Sequence, residues 1–302
     1  MNVNLNKVKK RASLNDDGRI STENSEPFFE GSLVEICILS YAPYSVSEKH
    51  SLKHELMPFF SKTRLEKIGR LMLNPQDSSL SEKHISALEQ SAAAELAICA
   101  AMKNSGRPFA PSDYAYKESG QPTIQNGHIS ISHTEGYAAC AIAREPVGID
   151  VEREHTFSKA AAKRILSPQE ELMSDSTNAD ELLSRIWTVK ESFLKMTGEG
   201  IPGGMRSGYV TYYYEYAQGI KTPGGMRTLE LIAAGDGSSD VWTIKRGTEP
   251  EAGCAVLLSI SGSGNSADFN DAYLSICTKR KAMMHINRFE SVESILEFLN
   301  EP

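Results

Sequence analysis

The sequence predicts an α+β protein built from two similar α/β halves, and two observations lead there. Residues 47–72 and 82–103 carry apolar side chains at three- and four-residue spacing, and strand patterns follow at 127–132, 137–143 and 147–152. After Ser167 the same order returns, helix and then a run of strands. Helix then sheet, twice, is the pattern of two α+β layers packed together.

Each element has its own signal. Residues 1–30 are polar, rich in Asn, Ser and charge, and lack sustained periodicity, which predicts a disordered arm. The run Leu33-Val34-Glu35-Ile36-Cys37-Ile38-Leu39 reads as a buried strand that Pro43 ends. The second helix gives way to the turn formers Asn104-Ser105-Gly106-Arg107-Pro108, and Gly136 and Pro146 punctuate the three-strand meander. Ser167-Pro168-Gln169-Glu170 predicts a helix start, with a serine cap, proline in the first turn and a capping-box glutamate. A longer helix is expected from about Asp180 to Thr197, stopped by Gly198. Strands are expected at 208–216, 227–234, 240–246, 253–260 and 272–277, and a last helix at 291–299. The repeated Pro-Gly-Gly-Met-Arg at 202–206 and 223–227 reads as two turns, and 259–270 as a Gly/Ser-rich loop. The expected halves are 31–146 and 147–302.

Composition narrows the function classes. With 39 acidic against 32 basic side chains the formal charge is −7, the wrong sign for a general nucleic-acid binder. The longest apolar stretch, Ala92 to Met102, is interrupted by Glu95 and falls short of the roughly 18 residues a spanning helix needs. No apolar core follows the basic N-terminus, so a cytoplasmic protein without membrane contact is expected. The five cysteines are widely spaced in apolar surroundings and lack zinc spacing. Any metal is therefore expected to be a hard one.

Three segments could carry chemistry. In Gly148-Ile149-Asp150-Val151-Glu152, strand alternation sends Ile149 and Val151 to one face and both carboxylates to the other. Such a pair gains from a cation between its members, and Mg²⁺ is commonly held by one or two carboxylates; alone, the pair is also compatible with a solvated strand face. In Trp187-Thr188-Val189-Lys190-Glu191-Ser192-Phe193-Leu194-Lys195, the residues Leu182, Ile186, Val189, Phe193 and Met196 form an apolar stripe. Trp187, Glu191 and Lys195 fall on another face, successive at i, i+4; alone, this is an ordinary helix ion pair worth about 0.2–0.5 kcal/mol. Ser132-His133 ends a strand before Gly136, where a histidine can meet a phosphate or simply complete a turn.

Together and in this order, the segments resemble the 4′-phosphopantetheinyl transferase superfamily, in particular its long, pseudo-dimeric type. The family's Ser-His block, Gly-Ile-Asp-x-Glu strand and Trp-x-x-Lys-Glu-x-x-x-Lys helix followed by Gly-x-Gly stand here as Ser132-His133, Gly148 to Glu152, and Trp187 to Lys195 with Gly198-Glu199-Gly200. The resemblance is firm over about Gly120 to Ile201. Gly120-Gln121-Pro122 is similar to the family's Gly-Lys-Pro, with glutamine in place of lysine, and Phe59-Phe60-Ser61 with Arg64 and Lys67 resembles its early basic helix.

What the resemblance implies is a Mg²⁺-dependent enzyme, with Mn²⁺ able to substitute, that moves phosphopantetheine from coenzyme A to an acyl, peptidyl or aryl carrier protein. Asp150, Glu152 and Glu191 are the implied metal ligands. Glu191 is the implied base and Lys195 the group that stabilises the departing nucleotide. Arg64, Lys67, Gly120, Gln121, Pro122, Ser132, His133, Lys190 and Lys195 are the implied coenzyme A contacts. The site is implied between the two halves, so that a monomer suffices. The alternative is a regulatory homologue that binds coenzyme A or carrier protein with little turnover.

Overall fold

Both faces of the first strand, β1 (Leu33–Ser40), are buried: Val34, Ile36 and Ile38 enter one apolar cluster, Cys37 and Leu39 another. A strand covered on both sides belongs inside a layered sheet. The computed structural model describes residues 33–42, 55–62, 65–66, 81–107, 114–117, 121–168, 170, 179–200, 204–206, 208–216, 218–221, 227–230, 239–246, 249–260, 272–280 and 282–301. The expected N-terminal arm, most of the 259–270 loop and the second Pro-Gly-Gly copy lie outside them.

In chain order, α1 (Glu82–Asn104), β2 (Tyr114–Tyr116), β3 (Pro122–Ile124), β4 (His128–Thr134), β5 (Tyr137–Ala143) and β6 (Val147–Arg153) follow β1. Then come α2 (Lys159–Ile165), α3 (Ala179–Thr197), β7 (Gly208–Tyr216), β8 (Gln218–Lys221), β9 (Arg227–Glu230), β10 (Ser239–Arg246) and β11 (Glu249–Ile260). β12 (Ala272–Thr278), β13 (Met283–Phe289) and α4 (Val292–Asn300) close the chain.

Two main sheets form, with strand orders β4-β5-β1-β13-β9-β8 and β6-β12-β11-β10-β7. One cluster joins α1 and α4 to the first sheet through Ala97, Ala101, Val292 and Ile295. A second combines Val34, Ile36 and Ile38 of β1 with Ile149 and Val151 of β6, so the two sheets share it. A third holds Ile186, Val189 and Phe193 of α3 against Ala255, Leu257 and Cys277. Each fully buried aliphatic side chain here contributes about 1.5–3 kcal/mol relative to an exposed one. Among the described residues no helix is long and apolar enough to cross a membrane.

Several expectations change. The helix expected at 47–72 is interrupted: Met57–Phe59 is a 3-10 turn containing Pro58, and Phe60 is extended. Proline lacks the N–H that a continuing helix would use. At Ser167 half of the expected capping box is made, because the Ser167 N–H donates to Glu170 Oε2 at 2.7 Å, while residues 171–178, where the expected helix would continue, lie outside the described residues. A helix that was not expected, α2, precedes it, capped by the Ser158 hydroxyl, which accepts from the Ala161 N–H. Strand β13 was not anticipated. It pairs in parallel with β1, from Leu33 beside Met283 to Leu39 beside Phe289, so residues 283–300 complete the first sheet and its core. The first sheet thus takes strands from both sides of residue 146.

Candidate active site

Strands β4 and β6 lie on the edges of different sheets, and side-chain bonds join those edges. Ile129 and Ile131 pack toward the α1 cluster, which leaves Ser130 and Ser132 on the opposite face. The Ser130 hydroxyl accepts from the Ile149 N–H at 2.9 Å, and the Ser132 hydroxyl donates to Asp150 Oδ1 at 2.8 Å. On β6, Ile149 and Val151 enter the cluster between the sheets, so Asp150 and Glu152 face α3, as strand alternation predicts.

Helix α3 approaches β6 closely through small side chains. Ser184, Thr188 and Ser192 are fully buried, and the Ser192 and Ser275 hydroxyls are 2.8 Å apart. Ser275 sits opposite Asp150 in the β6–β12 ladder. At the far end Gly198, with φ +76°, takes the left-handed conformation that terminates a helix, its N–H bonded to Leu194 O.

This approach brings Trp187, Glu191 and Lys195 onto the two carboxylates of β6. The Lys195 ammonium donates to Asp150 Oδ1 at 2.7 Å and to the Ser132 hydroxyl at 2.9 Å. The Trp187 indole N–H donates to Glu152 Oε1 at 3.3 Å. Asp150 and Glu191 are 2% and 7% exposed, and neither Asp150 Oδ2 nor Glu191 Oε1 has a hydrogen-bond partner. The polar helix face of the sequence reading is thus a buried acidic junction. Burial pushes Glu191 up to about 7; the Asp150 and Glu152 charges raise it too, while Lys195 opposes them. Glu152 is raised by burial and by Asp150, against the indole bond and the nearby charges of His155 and Lys195.

The remaining expected residues are placed unevenly. His133 is exposed, its Nδ1 3.1 Å from Gln90 Oε1. The Gln121 side chain donates to the Lys195 carbonyl at 3.2 Å, one of the oxygens that a helix end leaves open, and accepts from Lys117 Nζ at 2.8 Å. Pro122 begins β3. Arg64, Lys67 and Gly120 lie outside the described residues.

Lys190 departs from the expected phosphate contact. It is 3% exposed and donates to Glu170 Oε2 at 2.5 Å, Ile165 O at 2.8 Å and Met205 O at 2.9 Å. An ammonium has three N–H bonds, and all three are committed. The contribution of Ser130, and of Ser132 as the link between Asp150 and Lys195, was not read from the sequence. Its only trace there is the Ser-Ile-Ser alternation, which is common in strands.

Among the described residues no three His, Cys, Asp or Glu side chains converge as a ready-made metal cluster. The chemistry of the donors nevertheless suits a hard cation: two unpartnered carboxylate oxygens, on residues whose charges repel, lie beside a third carboxylate. The described cysteines Cys37, Cys99, Cys140 and Cys277 are buried thiols, and burial pushes the first three up, so none of those three is an activated nucleophile.

Comparison with known proteins bears on the same segments. Residues 146–212, which contain Asp150, Glu152, Glu191 and Lys195, match the family model described as the 4′-phosphopantetheinyl transferase superfamily. The chain is 30% identical over 105 residues to the 4′-phosphopantetheinyl transferase Sfp of Bacillus subtilis (strain 168), covering 34% of this chain and 47% of that protein. It is 33% identical over 88 residues to the 4′-phosphopantetheinyl transferase gsp of Aneurinibacillus migulanus, covering 28% and 37%. With the 4′-phosphopantetheinyl transferase HetI of Nostoc sp. (strain PCC 7120 / SAG 25.82 / UTEX 2576) it shares 32% over 100 residues, covering 29% and 42%. The matched region spans less than half the length of each of these relatives.

Proposed function

We propose, from the match of residues 146–212 to the 4′-phosphopantetheinyl transferase superfamily, that the chain transfers 4′-phosphopantetheine from coenzyme A to a serine of an acyl, peptidyl or aryl carrier protein. The products are the holo-carrier and adenosine 3′,5′-bisphosphate. The observation that carries this reading is the buried junction of Asp150, Glu191 and Lys195, where unpartnered carboxylate oxygens adjoin an ammonium. Such a site suits a diphosphate accompanied by a hard cation.

In this reading Asp150, Glu152 and Glu191 would hold Mg²⁺, or Mn²⁺ in its place. Bound there, the cation would neutralise charge on the phosphoryl oxygens, the main contribution a protein site makes to phosphoryl transfer. The chain's own groups do the rest. Glu191 takes the proton of the carrier serine directly or through a water. The serine oxygen bonds to the phosphorus next to pantetheine, and the bond from that phosphorus to the bridging oxygen breaks. Lys195 stabilises or protonates the departing 3′,5′-ADP. Ser132, His133, Gln121 and Pro122 line the nucleotide side, together with Arg64, Lys67 and Gly120. The site lies between two α/β halves, and one chain is sufficient.

The test is intact-mass analysis of several purified apo carrier domains incubated with this protein, coenzyme A and Mg²⁺. A phosphopantetheine-sized gain on at least one domain is expected. Absence of any gain across acyl, peptidyl and aryl carriers would favour a binding role without turnover.

A further inference from the structure

Lys195 makes a contact that transfer chemistry does not by itself call for. Its ammonium is bound to Asp150 Oδ1 at 2.7 Å and to Ser132 Oγ at 2.9 Å, and the Ser132 hydroxyl closes the triangle on the same oxygen at 2.8 Å. Asp150 Oδ1 is thereby occupied by two donors, while Asp150 Oδ2 and Glu191 Oε1 have none. The side chain of Lys195 is 31% exposed against 3% for Asp150, so the ammonium can swing outward while the carboxylate cannot.

We infer that Lys195 is an exchangeable counter-ion of the acidic junction, displaced from Asp150 when a divalent cation binds and thereby released toward the anionic ligand. This rests on the proposed metal-dependent reading and adds an order of charge exchange to it. The physical reason is that a divalent cation drawn to the unpartnered Asp150 Oδ2 and an ammonium held on Oδ1 of the same desolvated carboxylate repel each other strongly. A monovalent ammonium already there weakens the metal site in the absence of ligand. Once displaced, it is a mobile cation beside the place where a diphosphate binds. Metal and anion then each favour the other, and the coupling is reciprocal. Ser132 serves as a positioning residue, because its hydroxyl accepts from Lys195 and donates to Asp150 at the same time.

The experiment is a Mn²⁺ titration of the full chain followed by the electron paramagnetic resonance of free Mn²⁺, without nucleotide and then with coenzyme A. The proteins are wild type, Lys195→Met, Lys195→Arg and Asp150→Asn, each with a melting curve. Lys195→Met is expected to bind Mn²⁺ alone at least about tenfold tighter than wild type, since it removes a like charge at close range. Its gain from added coenzyme A should be smaller than that of wild type. Lys195→Arg should stay near wild type, and Asp150→Asn should bind weakly. Folded Lys195→Met with unchanged or weaker Mn²⁺ affinity, beside a wild type that binds through Asp150, overturns the exchange and leaves the metal assignment standing. Absence of Mn²⁺ binding in all four proteins, or binding unaffected by Asp150→Asn, overturns both.

Discussion

A Cβ on Gly148 would lie 1.8 Å from the carbonyl oxygen of Ser192 and 2.6 Å from the Met196 nitrogen. The backbone of β6 therefore touches the backbone of α3 at this point, two residues before Asp150 and one residue after Glu191. Neither neighbour is a side chain that could turn aside. Gly148→Ala must push the strand from the helix, and its expected cost is about 2–3 kcal/mol or more, read as a shift in the urea midpoint at constant slope. Any folded fraction should also lose transfer activity, because the carboxylates of β6 would be drawn away from Glu191 and Lys195. Near-native stability would mean that the close approach is not maintained in solution.

Glu191→Gln separates the chemistry of this junction from its stability. Loss of a general base costs about 10²- to 10⁴-fold in rate, so single-turnover transfer at saturating coenzyme A and Mg²⁺ should fall at least about a hundredfold. Stability should move the other way. The folded protein retains the Glu191 proton up to about pH 7, whereas the unfolded carboxyl, at its ordinary 4.5, has already released it. Between those values the folded state binds more protons, so metal-free stability falls as pH rises through that window. Glu191→Gln abolishes this component, and in EDTA at pH 8 its melting temperature should equal or exceed that of wild type. A marked fall would assign Glu191 a structural ion pair instead.

The buried Lys190–Glu170 pair is expected to govern stability rather than coenzyme A binding. Lys190→Met leaves the Glu170 carboxylate buried without its cation, which costs about 3–5 kcal/mol. Pairing it with Glu170→Leu removes the stranded charge and should recover part of that loss in a double-mutant cycle. The KM for coenzyme A in the double variant should stay within about threefold of wild type, since an ammonium with all three donors spent offers nothing to a phosphate. A stable variant with a much larger rise in KM would reinstate the phosphate contact.

Transfer is expected to need a hard divalent cation. Excess EDTA should abolish it, and Mg²⁺ or Mn²⁺ should restore it, because carboxylate oxygens accept either. Full activity in EDTA would remove Asp150, Glu152 and Glu191 from the metal-ligand assignment.

Local physics was legible in the sequence wherever a period or a breaker decides structure. Alternation on β6 placed Asp150 and Glu152 on one face, the i, i+4 spacing of α3 aligned Trp187, Glu191 and Lys195, and Gly198 ended that helix. Those constraints act within a few residues, so a linear string carries them. What only the tertiary structure decided depends on groups far apart along the chain. The parallel pairing of β13 with β1 joins residues 250 positions apart, and no local pattern encodes that register. The fate of Lys190 was likewise set by Glu170 and by the carbonyls of Ile165 and Met205, which consumed donors that the motif alone left available. Burial completed the site: the meeting of β4, β6 and α3 removed Asp150 and Glu191 from water, and desolvation among like charges turned an ordinary helix glutamate into a group that titrates near neutrality.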